Sequence, residues 1–247
     1  MRILVCISNV PDTTTKIRFN DSATQLDDTG IQWVINPWDE LALTRAVELK
    51  EDSGSPVSEV TVISVGEAFI EPTLRKCLAI GADKAIRINA NPLDAYQTAT
   101  LLAEYIKDTD FAFVICGIES GDYNEASVGG MLAEMLDYAS ISSVSAIKFD
   151  GNEPVFQRDV ANGKEQLKID GKAVLIVQKG FARVPKIPNM RGIMTARSKP
   201  LEVIEAAESQ PLVEFMTYKS PPAKGSVKML NDARELLDHL SNEAKLI

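Results

Sequence analysis

Histidine is almost absent. His239 is the single one, on a polar face near the C-terminus, which removes most histidine-dependent acid–base catalysis and nearly all histidine-based metal sites. Cysteine is sparse too. Cys6, Cys77 and Cys116 are odd in number, each sits inside an apolar run and none has CxxC spacing. They read as small buried hydrophobes of a reducing cytoplasm, neither disulfides nor metal ligands. No apolar run is long enough to span a bilayer, and Met1 leads into a strand instead of a secretory signal, so a cytoplasmic protein without membrane insertion is expected. Positive charge is outweighed: the formal net charge is -9, which disfavours nucleic acid and anionic membranes as partners. Walker A, GxGxxG and pyrophosphatase-type Ser-Gly-Gly signatures are all missing.

What is present is the composition of a soluble globular protein, 45% hydrophobic and 25% charged, in a 247-residue chain that can bury a sizeable core. Continuous apolar runs recur at Ile3–Ile7, Val60–Val65, Ala85–Ile88 and Phe111–Cys116. Strands this apolar are covered on both faces, the habit of parallel sheets. Helix-period segments alternate with them: Ile70, Leu74, Cys77 and Leu78 before a Gly81 stop; Ala95, Ala99, Leu102 and Ile106; Val128, Leu132, Met135 and Leu136. Right-handed βαβ crossovers and a three-layer, mostly parallel, Rossmann-like α/β domain follow.

After about residue 140 the strands become shorter and more polar. Val144–Phe149, Pro154–Val160 and Glu165–Ile169 are separated by Asp150-Gly151-Asn152 and Asn162-Gly163, which predicts a β-hairpin excursion in the same sheet system before Ala173–Gln178 resumes a buried strand. Residues 183–200 carry Arg183, Lys186, Arg191, Arg197 and Lys199 and no acid, with Pro185, Pro188, Gly192 and Pro200 interrupting any regular element. Residues 206–247 read as an extended arm and a terminal helix striped by Leu230, Ala233, Leu237, Leu240 and Ala244; its own domain or a partner must cover that stripe. The expected division is therefore 1–205 and 206–247.

Ligands of open parallel sheets bind beyond the carboxyl ends of the strands, where helix starts attract phosphate. Three such exits are readable: Cys6–Ser8, Ser64–Gly66, and Gly117–Gly130 ahead of the Val128 helix. Small residues at 126–130 would let a phosphate approach the backbone, and Ser127 can donate to it; a plain Gly-rich connector with an acidic tip is the alternative.

The segment Asn36-Pro37-Trp38-Asp39-Glu40 resembles the Asn-Pro-[aromatic]-x-Glu helix start of the electron transfer flavoprotein β subunits. So do the opening Ile3–Ile7 with Val10-Pro11-Asp12-Thr13 and Lys16-Ile17-Arg18, the stretch Leu74–Ala79 to Gly81-Ala82-Asp83, and Gly192-Ile193-Met194 with Lys199-Pro200-Leu201-Glu202. The resemblance runs in order over about residues 1–205. It implies a non-catalytic electron-carrier subunit that binds AMP, shares FAD with an α subunit, and passes electrons from acyl-CoA dehydrogenases of fatty acid oxidation to a quinone oxidoreductase. A bifurcating relative with a second FAD in place of AMP, or a stand-alone nucleotide-binding module, are the alternatives. By position it implicates Cys6, Asn36, Pro37, Trp38, Asp39, Val65, Gly117, Asp122, Tyr123, Asn124, Glu125, Ala126, Ser127 and Val128 in cofactor binding. It also implicates Met190, Arg191, Ile193, Met194, Arg197 and Lys199 in partner recognition. Where AMP-binding members carry Asn-Gln-Thr-Gly, this chain has Ala126-Ser127-Val128-Gly129, and Ser8-Asn9 stands where a basic pair is common. No metal is implied.

Overall fold

The computed structural model describes residues 1–247. The chain divides into two compact units, residues 1–17 with 28–215, and residues 18–27 with 216–247.

The larger unit is built on a nine-stranded sheet. Its strands are β1 (Arg2–Cys6), β4 (Glu59–Val65), β5 (Lys84–Asn89), β6 (Phe113–Gly117), β7 (Ala139–Asp150), β8 (Glu153–Val160), β9 (Gly163–Leu167), β10 (Ala173–Val177) and β11 (Leu201–Glu205). They lie in the order β11-β5-β4-β1-β6-β10-β7-β8-β9. All pairings from β11 to β7 are parallel, and the β7-β8-β9 hairpins are antiparallel. A separate antiparallel ribbon pairs β2 (Asn9–Pro11) with β3 (Trp33–Ile35). The extended residues just before Asn36 thus pair with those that follow β1 and stay out of the main sheet.

The central strands are covered on both faces, as their unbroken apolar runs require. One face packs Ile3, Val5 and Val62 against α1 (Pro37–Glu51) and α2 (Glu71–Ile80) through Leu43, Val47, Leu74 and Leu78. The other packs Leu4, Ile63, Ile86 and Val114 against α3 (Ala95–Ile106) and α4 (Val128–Leu136) through Leu102, Ile106, Leu132 and Ala133. Gly81 ends α2 at φ 148, and a Cβ there would meet Val47 Cγ1 at 2.5 Å. The three-layer α/β reading holds.

Details of the reading need correction. The second hairpin turn is Ala161-Asn162, with Gly163 already the first residue of β9 at φ 144. The basic segment is not devoid of regular structure: α5 (Met190–Ala196) forms between its prolines. Pro188 lies ahead of the Asn189 N-cap, whose side chain accepts from Gly192 N at 2.8 Å, and Pro200 lies beyond the helix end. Only Gly192 falls inside, and a Cβ there would collide with Ala79 O of α2. Strand β11 went unread because this parallel edge strand carries Glu202 and Glu205 among its five residues, so it neither runs apolar nor alternates cleanly.

In the smaller unit, Phe19 stacks on Tyr218 with ring centroids 4.9 Å apart, and Tyr218 N donates to Ala23 O at 2.7 Å. The terminal helix is shorter than the stripe predicts. It starts as α6 (Ala233–Asp238), because Asp232 caps it by accepting from Glu235 N at 2.8 Å, and it continues through a wide-turned segment His239–Glu243. Leu230 precedes it, Ala244 follows it, and no residue of α6 is buried.

Candidate functional site

The strand order reverses beside β1: the chain runs outward through β4 and β5, then α3 carries it back to β6 on the other side of β1. At such a switch point the flanking loops part and leave a crevice beyond the strand ends. Here the crevice has a volume of about 300 Å³ and is lined by Cys6, Ser64–Gly66 and Cys116–Ser120 from those strand ends. Apolar walls come from Ile63, Val65, Leu102, Ile118 and Val128. Trp33 and Phe69 also line it, their rings tilted at 59° with centroids 5.4 Å apart.

Asn36 and Asp39 hold the crevice together. Pro37 occupies the first helical position of α1, where its missing N–H costs nothing. The Asn36 side chain makes no cap bond; it donates from Nδ2 to Glu119 O at 2.8 Å and accepts from Gly121 N at 3.2 Å. Asp39 is buried and accepts from Ser8 N at 2.8 Å and from Gly117 N at 3.0 Å, so one carboxylate ties the ends of β1 and β6 to the helix start. Burial pushes its pKa up from 3.8 to about 6, and the two backbone donors offset part of that rise. The approach demands glycine at position 117, since a Cβ there would lie 2.6 Å from Trp38 Cβ.

The loop from Gly117 to Val128 is the most exposed wall. Asn124 (φ 54) and Ala126 (φ 52) are in the left-handed region, which Asn tolerates and which costs Ala on the order of 1 kcal/mol. Ser127 Oγ donates to Glu125 O at 2.8 Å and does not cap α4, leaving the first-turn amides of that helix without a side-chain acceptor. Gly129 lets α4 close on β10, because a Cβ there would meet Ile176 Cγ1 at 2.8 Å. Asn9 accepts from Thr73 Oγ1 at 2.6 Å, while its Nδ2, buried at the crevice wall, has no partner. The carboxylates lining the crevice belong to Asp39, Asp94, Glu119, Asp122 and Glu125, and no lysine, arginine or histidine lines it.

Of the residues implicated by sequence, Cys6, Asp39, Val65, Gly117, Asp122, Tyr123, Glu125, Ala126, Ser127 and Val128 line this crevice. Asn36 shapes it through the bonds above, and Asn124 is not among its walls. Pro37 and Trp38 face a different hollow of about 530 Å³, with Leu41, Lys179, Ala182, Arg183 and Pro185. Four successive residues thus divide between two cavities. Trp33, Phe69, Asn9 and the segment Asn91–Ala95 were not foreseen as walls. No local signal in the sequence brings them together, since Trp33 reaches Phe69 only once the β2-β3 ribbon has folded.

In the basic segment Met190 is 73% exposed, with Ile187, Ile193 and Met194 exposed beside it, and Arg191 and Arg197 also outward. Lys199 is turned inward. Its ammonium donates to Leu78 O at 2.9 Å and Ala82 O at 2.6 Å, capping the carbonyl end of α2. Burial and the neighbouring Lys50 lower its pKa. Arg75 reaches back to Ala196 O at 2.9 Å and Lys199 O at 2.8 Å, so α5 is clamped from both sides.

A mostly parallel sheet covered on both faces, with a crevice at its switch point, defines a three-layer, Rossmann-like α/β domain. The electron transfer flavoprotein domain profile matches residues 23–209. The electron transfer flavoprotein subunit β of Bacillus subtilis is 32% identical over 263 aligned positions, covering 100% of both chains. That of Methylophilus methylotrophus is 31% identical over 214, covering 84% of this chain and 80% of its own. The acryloyl-CoA reductase electron transfer subunit gamma of Anaerotignum propionicum is 30% identical over 250, covering 93% and 92%. The chain belongs to the electron transfer flavoprotein β-subunit family, and its role is that of an electron-transfer subunit. No helix is long and apolar enough to cross a membrane.

Proposed function

We propose that this chain is the β half of a heterodimeric flavoprotein, binding AMP in the switch-point crevice while an α subunit holds most of the FAD. The observation that carries the AMP reading is the crevice: its volume of about 300 Å³ is at the small end of ligand sites, which run to ~1,000 Å³. That favours a mononucleotide over a second flavin dinucleotide. The residues fit such a ligand. Uncapped amides of α4 and the unpartnered Asn9 Nδ2 are donors for a phosphate or ribose, and the apolar walls suit a base.

The hollow beside Trp38 suits the flavin side of the interface. Its walls combine an indole and Leu41 with Lys179 and Arg183, a chemistry matched to a planar, electron-accepting ring that can carry negative charge. When bound, FAD supplies the electron relay; this chain orients it and excludes water. The exposed apolar set Met190, Ile193 and Met194, flanked by Arg191 and Arg197 on the clamped α5, supports docking of donors such as acyl-CoA dehydrogenases, while Lys199 anchors the loop from within. The acryloyl-CoA reductase relative supports an acyl-CoA-linked partner. A quinone oxidoreductase is the proposed acceptor. The uncovered leucines of α6 support residues 206–247 as the strap that grips the α subunit in the cytoplasm.

The test is co-expression with a candidate α subunit, followed by extraction of the small molecules. One flavin and one AMP per pair is the expected result; two flavins and no AMP means a bifurcating type instead, and a colourless β chain that never pairs removes the reading.

A further inference from the structure

Two of the three cysteines, far apart in sequence, meet at the floor of the crevice. The β1-β6 ladder pairs Leu4 with Val114 and Val5 with Ile115, so Cys6 and Cys116 stand on the next rung. Alternation along each strand puts both on the face of Leu4 and Val114, in one core cluster. Both are free thiols and both line the crevice. Hydrogen bonding with Cys116, burial and the nearby Asp39 push the Cys6 pKa up, so Cys6 keeps its proton and shares it with the Cys116 sulfur. Cys77 is enclosed within α2 and does not line the crevice.

We propose that Cys6 and Cys116 form a peroxide-sensitive dithiol that closes reversibly to a disulfide between adjacent strands and, in closing, loosens the Asp39 clamp. Neighbouring strands run ~4.8 Å apart, inside the ~4.4–6.8 Å between Cα atoms that a disulfide spans, so the link needs no change of register. Side chains stand perpendicular to a sheet, which holds the two Cβ atoms at about the strand spacing, beyond the ~3.5–4.5 Å of a relaxed disulfide. Closing therefore strains the strand ends, and a strained disulfide is readily reduced, which makes the pair a switch instead of a staple.

The oxidant is hydrogen peroxide, little larger than a water of ~30 Å³ and admitted by a crevice of about 300 Å³. Cys116, the acceptor of the shared proton, attacks one peroxide oxygen. The O–O bond breaks, the Cys116 proton leaves with the released hydroxide as water, and a sulfenic acid remains. Cys6 then attacks that sulfur; the S–S bond forms and the hydroxyl departs with the Cys6 proton as a second water. The two thiols have given up two electrons, and the peroxide has been reduced to two waters.

The strain falls on the residues that follow. Gly117, next to Cys116, gives its amide to Asp39 at 3.0 Å and has no slack, since a Cβ there would lie 2.6 Å from Trp38 Cβ. Ser8, just beyond Cys6, gives its amide to the same carboxylate at 2.8 Å. Gly129 of α4 closes the other side, where a Cβ would meet Cys116 Cβ at 3.5 Å. Drawing the sulfurs together in so close-packed a site displaces the amides from the carboxylate.

The experiment treats the reduced full-length chain with hydrogen peroxide, alkylates the remaining thiols and maps the peptides without reduction. At a dose that only begins to convert the exposed Met190 to its sulfoxide, a Cys6–Cys116 link is expected with Cys77 unlinked, and dithiothreitol should restore both thiols. Hydrogen exchange of the Gly117 amide should quicken at least about tenfold in the linked form, the worth of one bond to a carboxylate. Cys6→Ser should stop at a Cys116 sulfenic acid that dimedone labels, and Cys116→Ser should leave Cys6 unlabelled. Intact thiols in a chain whose Met190 is oxidised overturn the proposal, as do links through Cys77 or thiol oxidation that dithiothreitol does not reverse. A link with unchanged Gly117 exchange overturns the coupling to the clamp, and dimedone on Cys6 in Cys116→Ser overturns the choice of attacking sulfur.

Discussion

Asp39 makes the stability of this fold depend on pH in a direction opposite to most acidic residues. Its pKa rises from 3.8 unfolded to about 6 folded, chiefly through burial. A raised carboxyl pKa means the folded state binds the proton more tightly. The stability it contributes is therefore fully present below about pH 4 and lost as pH climbs through about 6. Integrating the two binding curves from pH 7.5 down to pH 5.0 gives a gain of roughly 1–2 kcal/mol from this one group. The carboxylates whose pKa is lowered, Asp12, Asp94, Asp159, Glu153 and Glu235, lose their contributions only at lower pH, so that window isolates Asp39. Urea denaturation at the two pH values should show the unmodified chain more stable at pH 5.0 by about this amount, and Asp39→Asn should lack the increment. An equal pH response in both proteins, or a less stable unmodified chain at pH 5.0, refutes the assignment of a buried, ionisable clamp.

Other perturbations read the same architecture. Gly117→Ala pushes a methyl to 2.6 Å from Trp38 Cβ, and urea titration should show a loss of about 1–3 kcal/mol. Asp94→Ala removes the α3 cap and the anchor of Leu212 and Val213; about 1 kcal/mol of stability should go, with faster proteolysis near residues 210–216 as the readout. Met190→Glu should slow reduction by the proposed dehydrogenase donor with flavin content and melting temperature unchanged, because the side chain is 73% exposed; a loss of flavin would mean the segment is structural instead. Lys199→Met should lower stability by about 1–2 kcal/mol through the orphaned carbonyls of Leu78 and Ala82, measured by thermal unfolding, and an unchanged protein would show the ammonium is not needed there.

The layered fold was legible because its strands are apolar enough to need cover on both faces, and because helix stops such as Gly81 carry their own backbone chemistry. What escaped was whatever depends on distant chain. Strand β11 exists as a strand only because β5 offers it an open edge, and α5 forms among prolines because α2 supplies a carbonyl surface for Gly192 and Arg75 supplies a clamp. The crevice was foreseen at its strand ends, where the rule of parallel sheets applies, but its aromatic pair was not. Trp33 and Phe69 meet only after the β2-β3 ribbon has folded over the Gly66 strand end, a contact no local spacing encodes.

That leaves the turn Asn36-Pro37-Trp38-Asp39, whose residues alternate in destination for a geometric reason. Pro37 fixes the entry angle of α1, and with a period of 3.6 residues Asn36 and Asp39 then fall on one side while Pro37 and Trp38 fall on the other. The first pair bonds to Ser8, Gly117, Glu119 and Gly121 around the switch-point crevice; the second pair walls the hollow with Lys179 and Arg183. No flexible residue intervenes, and Gly117 locks against both faces at once through Asp39 and Trp38. A ligand that shifts the amides of Gly117 or Gly121 must therefore move the indole as well, since packed contacts of this kind transmit displacement instead of absorbing it. In this arrangement a nucleotide in the crevice, as proposed, would set the position of Trp38 without touching it, and with it the geometry of the hollow proposed to face the flavin.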